Sequence, residues 1–103
     1  MQPILLQIDF AFAGPFGAAL HEVCAPLAAD IATEPGLRWK LWTEDPAGQR
    51  AGGVYLFERR SDAERYLAKH LPRLQGFGVE SVRSHLFEVN LPLSALTRGP
   101  VGD

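Results

Sequence analysis

One cysteine, Cys24, is all that the 103 residues contain. No intrachain disulfide can form, which excludes the stapled scaffold of small secreted domains and points to a reducing cytoplasm. Runs of basic residues are missing too: ten Lys and Arg are scattered among twelve Asp and Glu, for a formal net charge of -2. So weak an electrostatic footprint argues against a nucleic-acid partner. No segment approaches the roughly 20 consecutive apolar residues of a membrane span. The apolar start "PILLQIDFAFAG" has no basic leader and is interrupted by Gln7 and Asp9, so neither a signal peptide nor membrane attachment is expected. "HEVCA", His21 to Ala25, begins like a zinc motif but lacks the second histidine, and Gly14, Gly17, Gly52 and Gly53 form no phosphate loop. The residues therefore indicate neither a metal nor a nucleotide cofactor.

Hydrophobic residues make up 47% of the chain and charged residues 21%, which suits a globular domain rather than a disordered one. The length accommodates one core, so residues 1–103 are read as a single domain in which 92–103 form a C-terminal tail. Ile4, Leu6, Ile8, Phe10 and Phe12 alternate with Leu5, Gln7, Asp9 and Ala11, the period of a strand. Pro15 suits a first helical position, and Phe16, Leu20, Val23, Leu27 and Ile31 recur at helical spacing around an internal Pro26. Residues 37–45 and 50–59 read as a hairpin turned by "DPAG". "SDAERYLAKHLPRLQG" follows as a second helix, with Ser61 and Glu64 in capping-box spacing and Ala63, Leu67, His70, Leu71 and Leu74 on one face. "VESVRSHLFEV" reads as a last strand. The order strand, helix, strand, strand, helix, strand predicts an α+β fold: a ferredoxin-like βαββαβ sandwich with an antiparallel sheet and both helices on one side.

The hairpin is apolar on both faces. A turn centred on residues 47 and 48 pairs Leu41 with Val54, Trp39 with Leu56, Lys40 with Tyr55 and Trp42 with Gly53. One face then holds Leu37, Trp39, Leu41, Val54 and Leu56, and matches the apolar side of the first strand beneath the helices. The other holds Arg38, Lys40, Trp42, Glu44, Tyr55 and Phe57, with His85, Phe87 and Val89 of the last strand beside them. Such a surface calls for a partner, and a second copy of the chain is the economical one, with Trp42, Tyr55, Phe57 and Phe87 in a homodimer interface. Gly52 and Gly53 beside the aromatics read as a β-bulge or, less simply, as a close approach of two backbones.

"LLQIDFAFAGPFG", "EPGLRWKLWTED", "AGGVYLF", "YLAKHLPRL" and "GV" before the last strand, in this order and spacing over residues 4 to 96, resemble the YdhR-type monooxygenases. The resemblance implies a dimeric α+β barrel, two ferredoxin-like protomers packed sheet to sheet, with a pocket between helices and sheet in each. Its wider superfamily includes small oxygenases that act on polycyclic phenols without flavin, metal or haem. A haem-degrading branch carries an asparagine on the first strand, a tryptophan near the end of the third and a histidine on the second helix. This chain has Gln7 and Phe57 in the first two regions, and only His70 agrees, so no cofactor is expected.

On that footing the expected activity is a cofactor-independent monooxygenase acting on a small phenolic or quinol-like aromatic, with molecular oxygen as co-substrate. The alternative is a non-catalytic small-molecule-binding dimer. His70, on the apolar face of the second helix, has two readings: a neutral imidazole that takes a phenolic proton, or a core histidine with its nitrogen satisfied internally. Phe10 and Trp39 are expected to sandwich a flat substrate, or else to fill the core. Tyr66, one turn before His70, is placed to hydrogen-bond a substrate oxygen, or to keep its hydroxyl at the surface.

Overall fold

The computed structural model describes residues 2–102. Strand β1 (Ile4–Ala11) buries Ile4, Leu6, Ile8 and Phe10 on one face, as the alternation of its side chains requires. It is followed by helix α1 (Gly17–Ile31), strands β2 (Leu37–Asp45) and β3 (Arg50–Phe57), helix α2 (Arg60–Gly76), strand β4 (Arg83–Glu88) and a short helix α3 (Leu91–Leu96). The sheet is antiparallel in the order β2-β3-β1-β4. This is the ferredoxin-like arrangement expected from the order of elements.

Helix starts differ in detail from their sequence signals. Pro15 lies two residues before α1, joined to Gly14 by a cis peptide bond. The N-cap of α2 is Arg59, which leaves Ser61 inside the first turn and the expected capping box unformed. Pro26 lies inside α1 as expected, and Pro72 likewise inside α2. The stretch expected to trail off as a tail contains α3, capped by the Asn90 side chain accepting from the Leu93 amide.

The four hairpin pairings expected from the turn are all present, but the hairpin faces the other way. A two-residue period fixes which side chains share a face and leaves open which face meets the helices. That choice is made by β1: Ile4, Leu6, Ile8 and Phe10 sit opposite Phe57, Tyr55, Gly53 and Ala51, so these β3 residues point toward the helices with them. Tyr55 and Phe57, expected in a subunit interface, are therefore core residues under α2, within 6 Å of the Tyr66 ring. Lys40 and Trp42, which pair with Tyr55 and Gly53, turn inward as well. Trp39 and Leu41 face out. A bulge between Leu37 and Trp39 lets Leu37 pack on the core while its neighbours two residues along do not.

No bulge interrupts β3 at its glycine pair; the register runs unbroken from Arg50 to Phe57 against β1. Gly52 marks instead a close approach of backbones, since a Cβ there would run into the Ile8 carbonyl.

The outer face carries Leu5, Trp39, Leu41, Val54, Leu56, His85 and Phe87. The end of the chain crosses it: the Trp39 indole N–H donates to the Pro100 carbonyl at 2.8 Å, and Arg38 donates to the carbonyls of Val101 and Gly102. Asp9 ties this face together by accepting from Arg50 on β3 and Arg83 on β4. Those two guanidinium bonds hold its carboxyl below the usual carboxylate value. Leu41 is 59% exposed and Phe87 43%.

Candidate functional site

Helix α1 presents its expected apolar stripe toward the sheet, yet of its residues only Ile31 is buried. Leu20, Val23, Cys24 and Leu27 stand off from β1 and β3 and roof a cavity of about 410 Å³. Ile8, Phe10, Ala51, Gly52 and Tyr55 form the floor. His70 and Leu74 of α2, with Phe77 and Val79 beyond it, form one wall, and Lys40 and Trp42 of β2 form another. The volume lies within the range of small-molecule sites, roughly 300–1,000 Å³, and the lining is mostly aliphatic and aromatic.

Polar groups in this lining are few. The Lys40 ammonium sits 3.3 Å above the centroid of the Trp42 ring and 4.7 Å from that of Tyr55, a cation held by two π faces. Among the described residues no carboxylate lies within salt-bridge reach of it and no hydrogen bond engages it. Burial brings the amine down from its ordinary value of 10.5 to about 7; Cys24 opposes the fall and Arg73 adds to it. The π contacts favour the charged form but cannot replace the lost water. Gly53, opposite Trp42, makes the room: a Cβ there would stand 2.7 Å from Lys40 Cε.

His70 is 3% exposed and its ring stacks on Tyr66 at a centroid distance of 4.8 Å. Its Nδ1 faces the Arg73 guanidinium, with Nε at 3.2 Å and a terminal nitrogen at 3.0 Å. A guanidinium only donates, so Nδ1 accepts and the ring proton belongs on Nε2. Burial first, then the positive charges of Lys40, Arg73 and Lys69, push the imidazole down from 6.5 to about 3. This is a neutral ring whose free lone pair is already used. It offers a donor at Nε2, where the sequence reading sought a base.

The remaining candidates separate. Phe10 lines the cavity. Trp39, expected opposite Phe10 across a flat ligand, is on the outer face with its N–H spent on Pro100. Tyr66 is fully buried, does not line the cavity, and donates its hydroxyl to that of Tyr55 at 3.1 Å. Burial pushes the Tyr66 phenol up to about 12 and raises Tyr55 further, the latter helped by Tyr66 itself. Trp42 moves from the expected interface to the cavity wall, and Phe87 alone of the expected interface group stays on the outer face. Lys40, expected on the partner-facing side of the hairpin, is a cavity group, and Cys24 lines the cavity from α1.

Residues 5–100 match the model of the family described as "Putative mono-oxygenase ydhR". No curated protein sequence matches the chain. Several solved structures share its fold. A protein of unknown function from Nitrosomonas europaea is 15% identical, with a TM-score of 0.65 over 87% of this chain and 91% of its own. A "putative antibiotic biosynthesis monooxygenase" from Deinococcus radiodurans is 13% identical, with a TM-score of 0.63 over 84% and 92%. A protein from Shewanella oneidensis is 19% identical, with a TM-score of 0.62 over 85% and 91%. At these identities the likeness concerns the fold.

Proposed function

The chain belongs to the "Putative mono-oxygenase ydhR" family, and from that premise we propose that it oxidises a small phenolic or quinol-like aromatic with molecular oxygen, without a cofactor. The observation that supports this reading is the cavity between α1 and the sheet: mostly apolar walls, aromatic faces at Phe10 and Trp42, and ionisable groups within reach of a ligand. A cavity packed with side chains would favour a purely structural protein. One with no ionisable lining would favour simple sequestration.

The reaction balances without an outside reductant. A phenol with a free para position gives a quinone and water: one oxygen atom enters the ring carbon as a carbonyl, the other leaves as water, and all four electrons come from the substrate. A phenolate gives up the first of these more readily than a phenol, and apolar walls shield the intermediate from side reactions. In this reading Phe10 and Trp42 flank the ring and His70 Nε2–H donates to a substrate oxygen.

We assign the outer face to a second copy of the chain. Leu41 and Phe87 on the sheet are large apolar side chains left exposed, and a two-fold partner covers such a face most simply. Sedimentation at micromolar concentration is expected to give a dimer, and Phe87→Glu a monomer.

The test of the activity is an oxygen electrode with a panel of one- to three-ring phenols, followed by mass spectrometry of products made under ¹⁸O₂. Quinone carrying one labelled atom is expected. No oxygen uptake with any member of the panel, while the same compounds bind, would leave the cavity as a binding site only.

A further inference from the structure

We propose that Lys40 is the group that takes the phenolic proton and then holds the phenolate as its buried counter-ion. This rests on the reading of the cavity as a site for phenols. The O–H bond of the ligand breaks, an N–H bond forms at Nζ, and the pair that was phenol and amine becomes phenolate and ammonium. No other reactant is needed.

The geometry singles out this residue by elimination and by fit. Among the described residues no Asp or Glu lines the cavity, so no carboxylate can serve. His70 has its accepting nitrogen occupied by Arg73. Tyr55 accepts from Tyr66, and its own phenol is held against ionisation by burial. Cys24 faces the cavity from α1, but a thiol gives no stable cation to hold the product anion. Lys40 does both tasks.

Its surroundings are also incomplete without an anion. Five other cations have carboxylate partners among the described residues: Lys69 with Glu34, Arg73 with Asp30, Arg65 with Asp62, and Arg50 and Arg83 with Asp9. The half-buried Lys40 ammonium, which lies at the cavity wall, has only the Trp42 and Tyr55 rings. A buried charge without a partner is costly, and a ligand anion supplies the partner. The groups that face Lys40 are Cys24 from α1, His70 and Arg73 from α2 and Tyr55 from β3. None is an anion fixed in place, and the amine's fall to about 7 means that it is available as a base in neutral solution.

The probe is 2-naphthol, bound under nitrogen at pH 8, where the free compound is neutral and its anion absorbs at longer wavelength than protein aromatics. The full-length protein is expected to show the anion band on binding. Lys40→Met is expected to lose the band and to bind the probe at least tenfold more weakly, while its affinity for 2-methylnaphthalene stays within twofold. Lys40→Arg, a permanent cation, is expected to keep the band. A bound probe with the neutral spectrum, no binding of the probe by the native protein, or an undiminished anion band in Lys40→Met would each overturn the proposal. The native spectrum decides alone if the methionine variant does not fold. Because no oxygen is present, an anion band without later oxygen uptake speaks against the oxygenase reading only. Oxygen uptake at an unchanged rate in Lys40→Met speaks against Lys40 only.

Discussion

Lys40 and Trp42, two residues apart on one strand, meet on the inner face of the sheet with the ammonium 3.3 Å above the indole ring. The contact compensates only part of what burial costs the charge. Between pH 7 and 10.5 the unfolded chain holds a proton on this amine that the folded chain has released, so stability rises with pH across that window. Below pH 7 the full cost is present. Lys40→Met is expected to be more stable than the native protein at pH 6 by roughly 2–4 kcal/mol, with the advantage shrinking toward pH 10. Urea midpoints at several pH values measure this.

His70 acts with the same sign in a lower pH window. Its folded value lies near 3 against 6.5 when unfolded, so on acidification the unfolded chain takes up a proton that the folded chain refuses. Stability falls as pH drops from 6.5 toward 3. His70→Gln is expected to flatten that limb of the urea-midpoint curve and to free Arg73, which keeps its partner Asp30 at 2.8 Å.

The Tyr66 and Tyr55 hydroxyls satisfy one another inside the core. Removing one leaves the other buried and alone, so Tyr66→Phe is expected to cost about 1–3 kcal/mol. The double change Tyr55→Phe with Tyr66→Phe is expected to cost less than the sum of the two, by a thermal-melt double-mutant cycle.

Gly52 and Gly53 are adjacent but differ in what a side chain would meet. A side chain at Gly52 meets the backbone of β1, which cannot yield, whereas one at Gly53 meets the flexible end of Lys40, which can. Gly52→Ala is expected to lower the melting temperature by 10 °C or more, or to prevent folding. Gly53→Ala is expected to melt within a few degrees of the native protein and yet to weaken 2-naphthol binding, because it displaces the amine.

Much of this molecule is legible in its sequence. The alternation from Ile4 to Phe10, the helical spacing from Leu20 to Ile31 and the "DPAG" turn give the elements and even the four hairpin pairings. The face of the hairpin is not legible, because Trp39 and Leu41 are as apolar as Trp42 and Tyr55. The deciding contact is Leu6 opposite Tyr55, a tertiary pairing with no local signature. From that one inversion follow the misplaced Trp39 and the misplaced Lys40, which periodicity groups with Trp42 and Tyr55 on the face expected to meet a partner. His70 is legible as an inward-facing ring, whereas the guanidinium on its Nδ1 comes from Arg73, one turn on, whose direction only packing shows.

The decisive measurement is a crystal structure of the protein with 2-naphthol. The ring is expected between Phe10 and Trp42 under α1, with its oxygen within hydrogen-bond distance of Lys40 Nζ. A naphthol bound instead on the outer face near Leu41 and Phe87, or a cavity closed by Leu20 and Leu27 moving onto the sheet, would contradict the assignment of this space to a small aromatic ligand.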